Sequence, residues 1–171
     1  MPLYPPQKGF TLLELMIAVA MISIIVGLSF PNLNMWVEKQ KLSRDTRAIL
    51  EVMNESRAHA IAQGTPVVVS FSTGVGSSGT FKAFEDTNAN FTQETDELLL
   101  GSGNMGKSVA IESSSFETTS GNSATSTCFD GMGLAVGHSG KVVLKDIYNQ
   151  KATLILTSAG IISITTGGLN E

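Results

Sequence analysis

Three regimes of hydrophobic patterning follow one another along the chain. From Phe10 to Phe30, "FTLLELMIAVAMISIIVGLSF", 21 residues run apolar with Glu14 as the only charge. A helix of that length covers about 31 Å, enough to cross the hydrocarbon core of a bilayer. Beyond Pro31 the pattern takes a helical period: Trp36, Leu42, Ile49, Leu50, Met53 and Ile61 recur at spacings near three and four among charged residues. This predicts an amphipathic helix, continuous with the first through Pro31, which removes one backbone hydrogen bond and permits a bend. Gly64 and Pro66 stop it.

Downstream the period shortens. "PVVVSFS", "TFKAFED", "ELLLG", "SVAIES", "TCFDGMGLAV", "KVVLKDI", "ATLILTS" and "GIISITT" are short runs rich in Val, Ile, Thr and Phe, parted by Gly, Ser and Asn clusters. Six to eight antiparallel strands are expected. "STGVGSSG" at 72–79 suits a hairpin loop, and "SSSFETTSGNSATST" reads as a longer, mobile polar connection. The fold class is α+β: a long N-terminal helix, transmembrane in its first half and amphipathic in its second, packed on an antiparallel β-sheet domain.

Composition narrows the function classes. With 171 residues, 42% of them hydrophobic, the chain builds one globular domain plus an appendage. A net charge of -4 supplies no broad attraction for nucleic acid or anionic lipid. The single Cys128 forms no intrachain disulfide, and beside Phe129 it reads as a small core residue. Lys8 precedes the apolar run and the long polar part follows it, which sets the N-terminus in the cytoplasm and the domain outside. A secretory signal cut after "AVA", 18–20, is disfavoured, because the apolar run continues through "MISIIVGLSF".

The segment "KGFTLLELMIAVAMISIIVGLSFP", 8–31, resembles the class III signal of type IV pilins and type II secretion pseudopilins. That resemblance implies cleavage between Gly9 and Phe10 by a prepilin peptidase, N-methylation of Phe10, and removal of residues 1–9 as a leader. Pro31 falls where family members carry a helix-loosening proline. Glu14 becomes the fifth residue after the cut, and the resemblance gives it a partner, the N-terminal amine of a neighbouring subunit. A carboxylate alone in lipid is unstable, so such an acid would act as a register pin, satisfied when helices stack with the right stagger.

Other motifs compete for attention. "GSGNMGKS", 101–108, satisfies the P-loop pattern, and Gly101, Gly103 and Gly106 also satisfy G-x-G-x-x-G. A working P-loop needs a helix behind it, whereas "VAIESSSFETTSGNSA" is β-branched and Ser/Thr-rich, so a turn between strands is expected and no nucleotide. "DTNANFTQETDE" sets Asp86, Asn88, Asn90, Thr92, Glu94 and Glu97 at the spacing of a calcium loop, but Phe91 occupies the position that requires Gly. A solvated acidic turn is the favoured reading there, with no metal. His59 and His138 lack companions at ligand spacing and are expected to face solvent. No nucleophile or paired-carboxylate arrangement emerges, so the chain is read as a non-enzyme without cofactor.

The run "FDGMGLAVG…GKVVLKD…ATLILTSAGIISI" is similar to the GspH/FimT group of minor pseudopilins and minor pilins. This implies a minor structural subunit of a type II secretion pseudopilus or type IV pilus, acting in filament initiation or at the tip. Its partners would be other pilins, the prepilin peptidase and the bacterial inner membrane, which it crosses once with its C-terminal domain in the periplasm. The segments are then leader 1–9, membrane and assembly helix 10–31, amphipathic continuation 32–64 and β-rich domain 65–171. The alternative is a DNA-binding minor pilin, which needs clustered Lys/Arg to displace counterions; beyond Lys39–Arg47 the basic residues are few.

Overall fold

The computed structural model describes residues 9–74, 79–118 and 124–167, without the side chains of 28–32. One helix, α1 (Leu12–Gln63), precedes eight strands: β1 (Val67–Thr73), β2 (Gly79–Glu85), β3 (Leu99–Asn104), β4 (Val109–Phe116), β5 (Ser126–Phe129), β6 (Gly140–Asp146), β7 (Lys151–Leu156) and β8 (Ile162–Gly167). The expected α+β architecture with six to eight antiparallel strands is therefore present. The chain divides into two compact units, Met1–Trp36 and Val37–Glu171.

In the first unit, side chains from Phe10 to Val26 are exposed around the whole circumference of the helix. Helix assignment runs through Pro31, whose side chain lies outside the described residues, as does the leader up to Lys8. Among the described residues no helix is long and apolar enough to cross a membrane. Described side chains of the apolar stretch run from Leu12 to Gly27, about 24 Å of helix against a core of about 30 Å. In the sequence the apolar run continues to Phe30.

The second unit is built on one helical stripe. Leu42, Ile49, Met53 and Ala60 recur every four or seven residues, which puts them on one face, and all are buried. They share a core with residues of two four-stranded sheets, ordered β3-β2-β1-β5 and β4-β6-β7-β8. All pairings are antiparallel. Alternation selects the inward faces: Val67, Val69 and Phe71 from β1, Phe81 and Ala83 from β2, Val142 and Leu144 from β6, and Ala152, Leu154 and Leu156 from β7. Phe71 stacks on Phe116 of β4, with ring centroids 5.7 Å apart, joining the two sheets.

Several expectations shift in detail. Ser113–Phe116, read as part of a polar connection, belongs to β4, where a register shift between Ile111 and Ser113 keeps the ladder to β6. Of the connection expected to be mobile, 113–127, residues 119–123 lie outside the described residues, as do 75–78 of the β1–β2 loop. "TCFDGMGLAV" is strand only up to Phe129. Asp130 Oδ1 accepts the backbone N–H groups of Met132 and Leu134, both at 2.9 Å, and Gly133 sits at φ 74°, so a turn replaces the ladder.

Two polar ties lock the helix to the strand-connecting loops. Arg57 donates through Nε to the Gly133 carbonyl at 2.9 Å and through Nη2 to that of Ala159 at 3.3 Å. Asp45, buried in the helix, accepts the Gly106 N–H at 3.0 Å through Oδ2 and the Arg44 guanidinium at 3.1 Å through Oδ1. Removing this carboxylate orphans the amide of the β3–β4 turn. Asp45→Ala is expected to destabilise the folded chain by about 1–3 kcal/mol, and Asp45→Asn, which keeps an acceptor, by clearly less. Urea unfolding of the full chain with both variants checks this; equal losses would contradict it.

Candidate processing and assembly site at the start of the helix

Gly9 and Phe10 lie in exposed non-helical backbone immediately before α1. A Cβ built on Gly9 meets nothing within 4 Å. Packing therefore does not require glycine here, and neither does the backbone, since Gly9 is not among the residues with positive φ. Phe10 is 91% exposed. The Gly9–Phe10 peptide bond is thus accessible, with the smallest residue on its N-terminal side.

The helix begins with a reciprocal cap. Glu14 Oε2 accepts the Thr11 backbone N–H at 2.9 Å and the Thr11 hydroxyl at 3.1 Å, while the Glu14 N–H donates to Thr11 Oγ1 at 3.2 Å. This is the capping box T-x-x-E, which satisfies helix-terminal donors that otherwise lack partners. Thr11 is the functional residue that sequence reasoning overlooked, although "TLLE" is a legible signature. The finding also changes the account of Glu14: the carboxylate already has partners within its own chain. Its second oxygen, Oε1, makes no hydrogen bond among the described residues. Both members of the cap lie after the Gly9–Phe10 bond, so cleavage there leaves it intact.

The P-loop pattern does not form a phosphate cradle. Gly101 and Gly103 belong to β3, residues 105–108 make the turn, and β4 follows in place of a helix. Packing demands glycine most clearly at Gly103. A Cβ on Gly103 would stand 2.5 Å from the Phe81 ring, its cross-strand partner, and one on Gly101 would touch Val52 of α1 at 3.4 Å. The Gly106 amide is taken by Asp45.

The acidic loop is tied to itself. Asp86, buried, accepts the Asn90 N–H at 3.1 Å and the Phe91 N–H at 2.9 Å. Glu97, also buried, accepts those of Thr87 at 3.2 Å and Glu94 at 3.0 Å. Glu94 receives the side-chain amides of Asn88 and Asn90, and the Thr92 N–H donates to Asn90 Oδ1 at 2.7 Å. Ala89 and Phe91 adopt φ near 60°, which shows how the loop turns without the glycine a calcium loop uses. Among the described residues no group of three or more His, Cys, Asp or Glu is placed to hold a metal ion.

The same loop helps to cover the outer face of the first sheet. Phe84, Val68 and Cys128 form a cross-strand row opposite the core, and Phe84 and Val68 are fully buried. Ala89 and Phe91 of the loop line a small cavity with Cys128, Leu134 and His138, and Phe91 meets the His138 ring at 5.1 Å. His138 does not face solvent as expected: it is half-buried, its Nδ1 lacks a hydrogen-bond partner among the described residues, and burial lowers its pKa. His59 departs too, since Nε2 meets Glu85 Oε1 of β2 at 2.5 Å and ties the end of the helix to the first sheet.

Cys128, partly buried, sits in surroundings that disfavour its thiolate. Burial first, and then the Asp86 and Asp130 carboxylates, push its thiol up to about 12. Each unit of that rise removes a factor of ten in thiolate. Alkylation by iodoacetamide at pH 8 is expected to be about 10³-fold slower in the folded chain than in urea, provided local opening does not intervene. Comparable rates in the two states would contradict the burial.

The chain matches the prokaryotic N-terminal methylation motif over residues 5–30, which brackets Gly9, Phe10, Thr11 and Glu14. Over residues 45–160, from the buried half of α1 through β7, it matches the family Type II transport protein GspH. A search of curated proteins returns no match, and a search of solved structures returns none. The GspH match covers more than half of the chain, and with the methylation motif ahead of it the chain belongs to the GspH family of type IV pilin-like pseudopilins.

Proposed function

We propose that this chain is a minor structural subunit of a type II secretion pseudopilus or type IV pilus, working in filament initiation or at the tip, and not an enzyme. The observation that carries the reading is the helix start. An exposed peptide bond follows a glycine that packing does not need, and an all-round apolar helix begins directly behind it. A helix apolar on every face requires lipid or other helices around it. Both are available to a processed subunit held in the bacterial inner membrane, N-terminus cytoplasmic and domain periplasmic, before it enters a filament. A prepilin peptidase cutting after Gly9 and methylating Phe10 would release it for assembly.

Glu14 then has two tasks that its two oxygens separate. Oε2 caps the helix through Thr11, and Oε1 is available to the N-terminal amine of a neighbouring subunit. A charge-assisted bond of that kind inside apolar surroundings fixes the stagger of one helix against the next, whereas apolar packing alone is non-directional. Pro31 is proposed to loosen the helix where the apolar run ends.

Gly9→Val leaves folding unchanged in this account, because a side chain there meets nothing, while the precursor accumulates uncut. Glu14→Gln keeps a capping-box acceptor but removes the charge. It is expected to be inserted and cleaved normally and to be depleted at least about tenfold from sheared filaments, the loss of one charge-assisted bond. Immunoblots for cleavage and for filament content read both variants. Normal incorporation of cleaved Glu14→Gln would mean that the acid is only a cap.

A further inference from the structure

Beside α1 an open groove of about 390 Å³ runs between the helix and the last two strands, lined by Lys39, Leu42, Arg47, Lys151, Ala152 and Ile164. Its strand wall is β7 and β8, the latter the outermost strand of its sheet. Leu42 and Ala152 form an apolar floor, and Ile164 is partly exposed at the lip. Lys151 is engaged by Glu112 at 2.7 Å. Lys39 and Arg47 are exposed and make no ion pair among the described residues. The groove therefore presents two free cations over an apolar floor.

The same chain carries a segment of complementary chemistry. After the self-tied acidic loop, Asp96 and Leu98 both point to solvent, and Asp96 has no hydrogen bond or ion pair among the described residues. The loop is rooted at Glu85, where β2 meets His59, and twelve residues of helix separate His59 from Arg47, about 18 Å along the axis. Held by its own hydrogen bonds, the loop does not reach the groove of its own molecule. We propose that two copies of this chain stack head to tail, with Asp96 of one paired to Lys39 and Arg47 of the next and Leu98 covering Ile164 and the apolar floor.

Two different patches meet in such a contact, so it is heterologous and carries a stack along the helix direction without closing into a ring. Exposed ion pairs are individually weak and screened by salt. They gain weight when a filament already holds the two copies at the matching stagger and raises their effective concentration. The proposal rests on the filament reading for its setting, though not for its geometry. Copies adjoining in this way would occupy neighbouring positions at the start or tip of a filament.

The test uses the full chain in detergent micelles. Leu98→Cys and Ile164→Cys chains, both carrying Cys128→Ser because the native thiol is only partly buried, are mixed and oxidised. A cross-linked dimer is expected that needs both cysteines, falls at least about fivefold at high salt, and is suppressed similarly by Asp96→Lys. Combining Asp96→Lys on one chain with Lys39→Glu and Arg47→Glu on the other should restore it. Absence of the dimer, or a dimer indifferent to salt and to charge reversal, overturns the proposal. So does a groove that binds duplex DNA through Lys39 and Arg47 while no dimer forms. If the dimer forms but the chain is missing from filaments, the filament reading fails and the contact stands. A chain that enters filaments without the cross-link overturns the contact and leaves the filament reading in place.

Discussion

Burial of the stripe Leu42, Ile49, Met53 and Ala60 is the constraint on which the globular unit depends, because both sheets share the core that this stripe completes. Full burial of each larger side chain contributes about 1.5–3 kcal/mol, so the stripe outweighs any single polar tie. Polar residues on the same side of the helix are made compatible with it locally. Thr46 and Ser56 donate their hydroxyls to the carbonyls of Leu42 and Val52, both at 2.7 Å, which removes the cost of an unpaired buried donor. Asp45, Arg57 and His59 then fix which loop or strand lies where along the helix.

The two units pose opposite solvation problems. From Val37 onward, the apolar stripe Leu42, Ile49, Met53 and Ala60 of α1 is buried within the chain. Ahead of Trp36 every large apolar side chain among the described residues is exposed. The start of the helix is the point where the second problem has to be solved by something else: lipid, and then other helices. A capped first turn makes the helix begin at a fixed residue, and the carboxylate that does the capping has a second oxygen without a hydrogen bond among the described residues. In the proposed assembly role the same side chain would serve both local structure and the neighbouring subunit.

Much of this was legible in residue order. The helix end at Gly64, with φ 70°, and all eight strands follow from period, β-branching and turn residues. The residues proposed for cleavage and assembly lie in a local motif, which residue order displays as it does other short-range patterns. What residue order hid were pairings set by topology: Asp45 with Gly106, Arg57 with Gly133, His59 with Glu85, and Phe91 with His138. Each joins positions that periodicity cannot relate. The glycines of the P-loop pattern show the converse, since local spacing suggested a phosphate site and cross-strand contact with the Phe81 ring explains Gly103. Thr11 went unread because it sits inside a run that otherwise demands to be read as apolar.

The central claim is that the chain is a processed filament subunit whose mature chain starts one residue before the helix cap. Mass spectrometry of the N-terminal peptide from the membrane fraction of producing cells tests it most directly. The account requires a peptide beginning with N-methylated Phe10. A peptide beginning at Met21, or a precursor that retains residues 1–9 where a prepilin peptidase is active, would contradict it.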